Sequence, residues 1–216
     1  APGVLRARIA MTDAGAETAL FRVALATTTD ESFQGLGERF VGADARGQIV
    51  PMQLSVTEQA RESGTNEHHV PVPFVVSSRG WGLFVETREA GAFDVASTAP
   101  GEMRATFEGP VLDLVFFAGP TPRESIAAYT RHTGLPILPP RWAFAPMHWR
   151  NEWADRAALE ADAAALRTLD LPCTSFWIDN PWQLSYNDHR IDETRFPGAA
   201  AMLTALRDQG FRTLFW

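Results

Sequence analysis

The first half of the chain alternates apolar residues with polar or small ones, which is the pattern of strands that bury one face. Four segments show this alternation or are almost entirely apolar: Val4–Met11, Thr18–Thr27, Val70–Glu86 and Val111–Phe117. The third segment contains two β-branched runs that are separated at Ser77–Gly80, so it predicts two strands. No helical period precedes Glu124. The pattern predicts a mostly antiparallel β-sandwich over residues 1–120.

A short helix and a proline-rich linker are predicted next, over residues 121–140. Thr121 stands before a proline and three residues before Glu124, which is the arrangement of a capping box with Thr121 as N-cap. Gly134 is expected to end the helix. Leu135–Pro140 contains three prolines, and proline is excluded from helix interiors and central strands.

Strand and helix patterns alternate over residues 141–216. Strands are predicted at Trp142–Trp149, Thr174–Asp179 and Phe211–Trp216, and helices from Trp153 or Asp155 to Leu169 and from Gly198 to Gln209. The apolar face of the first helix is expected to carry Leu159, Leu166 and Leu169. Parallel strands need crossover helices, so the alternation predicts a parallel sheet. Three strands do not close such a sheet, and part of the site is expected beyond Trp216.

Composition restricts the kinds of partner. The chain has 216 residues, of which 45% are hydrophobic and 21% charged, and its formal net charge is −7. Basic residues are scattered rather than clustered, which argues against nucleic acid and anionic membrane surfaces as partners. No apolar window approaches the roughly 18 residues of a membrane span. The first residues are not a signal peptide and no initiator methionine is present, so the compartment stays open.

Metal and disulfide chemistry are not indicated. Cys173 is the single cysteine, which excludes an internal disulfide, and it is expected as a small buried residue at the start of a strand. His68 and His69 are adjacent, and adjacent strand residues point to opposite faces, so they do not chelate one ion. We therefore expect neither a metal nor another cofactor.

Candidate chemistry lies where two of the predicted strands end. In a parallel α/β barrel or open sheet, ligands bind at the carboxyl ends of the strands. Met147–Trp153 and Trp177–Trp182 are the two joints, and both combine indole rings with polar groups. The CH faces of a pyranose stack on indole, and its paired hydroxyls suit a carboxylate. We predict a glycoside or oligosaccharide substrate, bound by Asp179, Trp149, Arg150, Trp177 and Trp182.

Each candidate also has a purely structural interpretation. Asp179 precedes Asn180 and Pro181, a turn sequence in which the carboxylate often caps backbone N–H groups. The tryptophans are also suited to packing in a barrel floor. For Arg150 and His148, an ion pair with Glu152 or a place in the core is expected ahead of a ligand contact.

Several segments carry a resemblance to a known family. Glu31–Phe40 resembles a glycine-glutamate strand motif of an N-terminal sandwich, and Val70–Val85 resembles a hairpin with proline-phenylalanine and serine-arginine-glycine motifs. Four further segments resemble the first part of a barrel: Leu138–Trp142, Phe176–Asp179, Arg195–Pro197 and Leu206–Gly210. Together, and in this order, the segments resemble glycoside hydrolase family 31, which includes retaining α-glucosidases and α-xylosidases.

The resemblance implies a galactose-mutarotase-like β-sandwich followed by the first part of a (β/α)8 TIM barrel. It implies cleavage of an α-linked sugar with retention, by an aspartate nucleophile and an aspartate acid/base held roughly 5 to 5.5 Å apart. Both catalytic residues are expected beyond Trp216, so none is assigned in this chain. Asp179 matches the family's aspartate after the second barrel strand, which hydrogen-bonds the hydroxyls of the sugar to be cleaved.

Some residues depart from the family pattern, and other functions stay open. Asn180–Pro181 stands where relatives often carry bulky residues, so the rim of the pocket is expected to differ. Thr57–Asn66 faintly resembles a loop of the sulfoquinovose-cleaving branch, but Gln183–Arg195 lacks that branch's sulfonate pocket. Asn66 or Glu67 is a candidate for a sandwich loop that reaches over the barrel mouth. The alternatives are a transglycosidase, a sulfoquinovosidase and a non-catalytic carbohydrate-binding module.

Overall fold

The computed structural model describes residues 3–12, 19–39, 42–53 and 70–216. The chain divides into two compact units, Ala1–Leu135 and Pro136–Trp216. The loop 57–67 and the neighbouring His68 and His69, which the sequence analysis considered, lie outside the described residues.

The first unit is a sandwich of two antiparallel sheets. Its strands, within the described ranges, are β1 (Val4–Ala10), β2 (Ala19–Ala26), β3 (Phe33–Gly35), β4 (Gln48–Pro51), β5 (Phe74–Ser77), β6 (Trp81–Val85), β7 (Gly91–Val95), β8 (Glu102–Gly109) and β9 (Val111–Ala118). One sheet has the order β1-β9-β6-β5-β3, and the other has the order β2-β8-β7-β4. The predicted β-sandwich is confirmed.

The core of this unit lies between the two sheets. Leu83 and Leu112 from one sheet and Phe93 and Phe107 from the other belong to a single buried cluster. Alternate residues of each strand face inward. In β8, for example, Met103 and Phe107 are buried, and burial alternates along the residues between them. Burial of these apolar faces is what holds the two sheets together.

A buried carboxylate ties the segment before β3 to the β5–β6 hairpin. Glu31 is only 3% exposed, and it accepts hydrogen bonds from Trp81 Nε1 at 2.7 Å and from Thr28 N at 3.2 Å. The Ser77 hydroxyl is a third donor to the same carboxylate. Because a buried charge is costly unless it is hydrogen-bonded, these donors make the burial of Glu31 tolerable.

The turn between β5 and β6 requires glycine at Gly80. Its φ is +88°, and a Cβ atom there would lie 2.4 Å from the carbonyl oxygen of Gly119. The helix α1 (Pro122–Thr133) begins shortly after Gly119. Tyr129 of α1 packs against the sheet. The Tyr129 ring stacks on Phe74 with their centroids 3.9 Å apart.

The predicted helix is confirmed, but its capping box is only partly right. Thr121 is the N-cap and Gly134 follows the last helical residue, as expected. The Thr121 hydroxyl, however, donates to the Glu124 carboxylate instead of capping a backbone N–H group. In a capping box these two side chains would bond to backbone N–H groups, whereas here they form a hydrogen bond with each other.

The second unit is a parallel sheet with two helices. After a 3-10 helix at Arg141–Phe144, its elements are β10 (Met147–Arg150), α2 (Arg156–Thr168), β11 (Ser175–Ile178), α3 (Ala199–Asp208) and β12 (Arg212–Phe215). The strand order is β10-β11-β12, and both pairings are parallel. The predicted alternation of strands and helices is confirmed.

Two details of the sequence prediction for this unit are wrong. The expected strand Trp142–Trp149 is a 3-10 helix followed by the shorter β10, because Pro146 lacks a backbone donor and holds Ala145 in an extended conformation. Leu169 does not share the buried face of α2 with Leu159, since it is the C-cap residue and is 67% exposed.

One face of the sheet is covered by both helices. Phe176 and Ile178 of β11 are buried in a cluster with Leu159 of α2 and Met202 and Leu206 of α3. Cys173, just before β11, is buried in the same cluster, as predicted.

Candidate functional site

The opposite face of the second unit's sheet carries the candidate residues. Because Phe176 and Ile178 point toward the helices, Trp177 between them points to the other face. The pairing register places Trp149 of β10 and Leu214 of β12 beside Trp177 in one row. Two indoles therefore stand side by side on the face that the helices leave uncovered.

Asp179 follows β11 at the carboxyl end of this row. Its Oδ2 accepts a hydrogen bond of 2.7 Å from Trp149 Nε1, and its Oδ1 accepts one of 2.7 Å from Asn180 N. An ionised carboxylate accepts about four hydrogen bonds, of which these donors supply two. The remaining lone pairs suit hydroxyl donors such as those of a sugar.

Trp149 and Trp177 present different surfaces. Trp149 is 53% exposed, so part of its ring is accessible while its N–H fixes Asp179. The Nε1 atom of Trp177 is buried, and it has no hydrogen-bond partner among the described residues. A buried indole N–H usually has a partner, so this donor is unusual among the described residues.

Arg150 lies on the helix-covered face. Its Nε and Nη2 donate to Oδ2 and Oδ1 of Asp162, both at 2.6 Å, in a bidentate pair with α2. His148 Nε2 is 2.8 Å from Asp162 Oδ2, on the same face. The expected ion pair with Glu152 is therefore corrected: Asp162, in the middle of α2, is the shared partner of both basic side chains.

The electrostatics of this cluster favour the ionised state of Asp162. Burial by itself raises the pKa of Asp162, but the hydrogen bonds from Arg150 and His148 and their charges outweigh it. The pKa of Asp162 therefore lies below its ordinary value. The guanidinium of Arg150 also lies over the Trp153 ring, 5.4 Å from its centroid, which further fixes the side chain.

Trp182 and Trp153 belong to the interior of the unit. Trp182 is 5% exposed, packs against Phe215 with centroids 4.7 Å apart, and donates from Nε1 to the carbonyl oxygen of Trp216 at 2.6 Å. Trp153 is 1% exposed, and its Nε1 donates to the carbonyl oxygen of Trp177 at 3.2 Å. Both indoles hold the loops that follow β10 and β11 against the sheet. The peptide bond between Asn180 and Pro181, at the start of the second loop, is cis.

The sequence analysis missed two residues that border this end of the sheet. Trp216 N donates to the carbonyl oxygen of Ile178 at 3.0 Å, which places Trp216 beside Asp179. Tyr186, in the loop after β11, meets the Trp216 ring edge-on at 5.7 Å between centroids. Both rings are exposed. An aromatic residue among the polar turn residues Ser185, Asn187 and Asp188 was the available signal for Tyr186.

In the part of the chain that the structure describes, no group of three or more His, Cys, Asp or Glu side chains is arranged to hold a metal ion. None of the helices in those residues combines the length and apolarity that crossing a membrane requires.

Two family models match the chain. The glycosyl hydrolases family 31 TIM-barrel domain matches residues 136–216, and the glycosyl hydrolase 31 N-terminal galactose mutarotase-like domain matches residues 11–94. They correspond to the parallel unit and to most of the sandwich. The predicted fold, a β-sandwich followed by the start of a TIM barrel, is confirmed.

Known proteins of this kind are similar over most of the chain. Alpha-xylosidase XylQ of Lactiplantibacillus pentosus is 28% identical over 90% of this chain and 26% of its own length. Alpha-glucosidase 2 of Bacillus thermoamyloliquefaciens is 26% identical over 85% of this chain and 24% of its own length. The solved structure of a Flavobacterium johnsoniae family 31 dextranase complexed with glucose is 26% identical, with a TM-score of 0.82, over 99% of this chain and 25% of that chain. The chain thus spans about a quarter of the length of these relatives.

Proposed function

Because the chain belongs to glycoside hydrolase family 31, we propose that it contributes the sandwich and the sugar-holding start of the barrel to a retaining α-glycosidase. The observation that carries this proposal is the pair formed by Asp179 and Trp149, which joins a carboxylate to an exposed indole at the carboxyl end of two parallel strands. Ligands of parallel α/β folds bind at that end of the sheet.

The pair is suited to one pyranose ring. The carboxylate of Asp179 accepts hydrogen bonds from two neighbouring hydroxyls, and hydrogen bonds to a charged group are about twice as strong as neutral ones. The Trp149 N–H holds the carboxylate in a fixed orientation, so little entropy is lost when the sugar binds. Its exposed ring face offers an apolar surface for the CH groups of the sugar.

The other candidates contribute in different ways. Trp177 lies beside Trp149 on the same face, and we propose that its ring adds to the apolar surface for the sugar; its Nε1 atom is buried. Arg150 and Trp182 have partners inside the unit, Asp162 and the carbonyl of Trp216, and we propose that they support the loops. A direct sugar contact by Arg150 or Trp182 stays a prediction.

The proposed reaction is a double displacement. A carboxylate attacks the anomeric carbon and displaces the leaving oxygen, a second carboxyl group protonates that oxygen, and water then releases the sugar with its configuration retained. We assign both carboxyl groups to residues outside this chain. Asp179, Trp149 and Trp177 bind and orient the ring that is attacked, and hydrogen bonds to its hydroxyls strengthen in the transition state.

We propose an α-glucoside or α-xyloside as substrate. Relatives similar over most of the chain are named alpha-xylosidase and alpha-glucosidase. The two sugars differ in one group: the glucose ring carries a hydroxymethyl group and the xylose ring does not. Asp179 and Trp149 recognise hydroxyls and CH faces that both sugars share. Discrimination between the two sugars therefore depends on other contacts.

A hydrolysis screen of the intact protein tests the proposal. The panel consists of nitrophenyl α- and β-glucosides and xylosides, and proton NMR follows the anomer that is released first. We expect release from an α-glycoside only, with the α-anomer as first product. Release from β-glycosides or an inverted first product would contradict the proposal. Transfer to an added sugar in preference to water would indicate a transglycosidase, and binding without turnover would indicate a carbohydrate-binding protein.

A further inference from the structure

The long loop after β11 carries an aromatic ring next to Trp216. The segment 179–198 connects β11 to α3, and ordered loops of this length are often functional. Residues Gln183 and Ile191 form an isolated antiparallel bridge, and Leu184 N donates to the carbonyl oxygen of Arg190 at 3.0 Å. The part of the loop between these residues is therefore a closed turn.

Side chains inside the turn fix its shape. Asp188 accepts hydrogen bonds from Ser185 Oγ at 3.0 Å and from Arg190 N at 2.9 Å, and the Arg190 guanidinium pairs with it as well. Asn187 and His189 adopt left-handed backbone conformations, with φ of 62° and 56°. Asparagine and histidine adopt this conformation more readily than most residues other than glycine, so both suit the tight turn.

Tyr186 stands at the tip of this turn. Its side chain is 71% exposed, and its ring and the Trp216 ring meet edge to face. Trp216 lies beside Asp179 through its hydrogen bond to Ile178. The phenol on this turn and the indole of Trp216, which follows β12, thus lie next to each other at the carboxyl end of the sheet. Rigid aromatic side chains contact a ligand at low entropic cost.

We propose that Tyr186 is a second sugar-binding position, which stacks on a unit of an α-linked glucose or xylose oligosaccharide beyond the ring held by Asp179. This inference rests on the proposed function, because it takes the Asp179 position as the primary sugar site. Tyr186 selects for chain length: substrates with a single sugar ring do not reach it, and longer ones do. The phenol hydroxyl contributes little, since the ring face makes the contact.

The test compares short and long substrates in the intact protein. Hydrolysis of nitrophenyl α-glycosides is measured beside that of α-1,4- and α-1,6-linked glucose oligosaccharides of two to five units. The variants are Tyr186→Ala, Tyr186→Phe and Phe144→Ala; the last removes an equally exposed ring (69%) at the amino end of the sheet. Calorimetric titration with the same oligosaccharides gives a readout that does not need turnover.

The expected result is a loss that depends on length. Tyr186→Ala lowers kcat/KM and affinity for the longer oligosaccharides about 3- to 10-fold, and changes nitrophenyl glycoside hydrolysis less than about twofold. Tyr186→Phe and Phe144→Ala behave like the wild type. Equal losses on short and long substrates, no loss on either, or a melting temperature lowered by several degrees in Tyr186→Ala would overturn the inference.

Failure of this inference and failure of the proposed function give different results. If the wild type hydrolyses α-glycosides and the effect of Tyr186→Ala on kcat/KM does not depend on substrate length, only the proposed role of Tyr186 is wrong. If the wild type hydrolyses nothing but binds pentasaccharides through Tyr186, the catalytic proposal is wrong and the binding position stands. If it neither hydrolyses nor binds them, both are wrong.

Discussion

Trp149 donates a hydrogen bond of 2.7 Å to Asp179, although the two residues lie 30 positions apart in the chain. Their meeting follows from the parallel pairing of β10 and β11, which sets Trp149 beside Trp177 and leaves Asp179 two residues further along the same face. A carboxylate and an indole are thus joined by the topology of the sheet and not by a local turn.

The first prediction concerns the energy of this hydrogen bond. Trp149→Phe keeps an aromatic ring but removes the donor, so we expect kcat/KM for an α-glycoside to fall about 5-fold, or about 1 kcal/mol. A double-mutant cycle with Asp179→Asn measures the coupling. Additive effects of the two substitutions would show that the bond does not orient the carboxylate during the reaction.

The sequence allowed the fold class and most elements to be predicted, because apolar periodicity reports directly which face is buried. The predicted bounds of elements were wrong where a proline or a helix end interrupted the apolar periodicity. Pro146 shortened the strand expected at Trp142–Trp149, and the end of α2 left Leu169 in solvent. The sequence does not predict β8, because the inward-facing residues of this strand include the small Ala105, which contrasts weakly with Thr106 beside it.

The candidate site was harder to predict than the fold. The sequence places Asp179 at a strand end, but the face of each strand that meets the helices is a tertiary property. Arg150 and Trp149 are adjacent, so one must face the helices, and the choice was decided by Asp162 on α2. The sequence does not predict the position of Tyr186 either, because no periodic pattern identifies a ring at the tip of a turn.

The second prediction concerns pH and Asp162. Its pKa is lower in the folded protein than its ordinary value of 3.8, so the ionised form contributes stability above that pH and loses it as the pH falls through the folded pKa. We expect Asp162→Asn to cost about 1 kcal/mol at pH 7, as Arg150 is half exposed. Urea unfolding followed by tryptophan fluorescence should show this difference shrinking as the pH falls below about 4. A difference that is independent of pH would contradict the ion pair.

The third prediction separates support from sugar contact at Trp182. Trp182→Phe keeps the packing on Phe215 and loses the hydrogen bond to the Trp216 carbonyl, so we expect about 1 kcal/mol of destabilisation. Trp182→Ala also leaves a cavity and should cost about 3 to 5 kcal/mol. Chemical unfolding gives both values. A large drop in kcat/KM for Trp182→Phe at unchanged stability would show instead that the indole contacts the substrate.

The fourth prediction concerns the sandwich. Glu31→Ala leaves Trp81 Nε1, the Ser77 hydroxyl and Thr28 N without their shared acceptor, so we expect about 3 kcal/mol of destabilisation. The exposed Glu108 is the matched control, and Glu108→Ala should stay within about 0.5 kcal/mol of the wild type. Thermal unfolding of the intact protein compares the two variants. Equal effects would mean that the buried carboxylate has no special role.

The most direct measurement is hydrolysis of an α-glycoside by intact Asp179→Asn protein. This substitution keeps the shape of the side chain and removes the charge that receives the sugar hydroxyls. Asp208→Asn, which alters an exposed aspartate at the end of α3, is the control. We predict that Asp179→Asn lowers kcat/KM at least about 100-fold at unchanged melting temperature, while the control stays within about twofold. Activity of Asp179→Asn within about threefold of the wild type would contradict a sugar-binding role for Asp179.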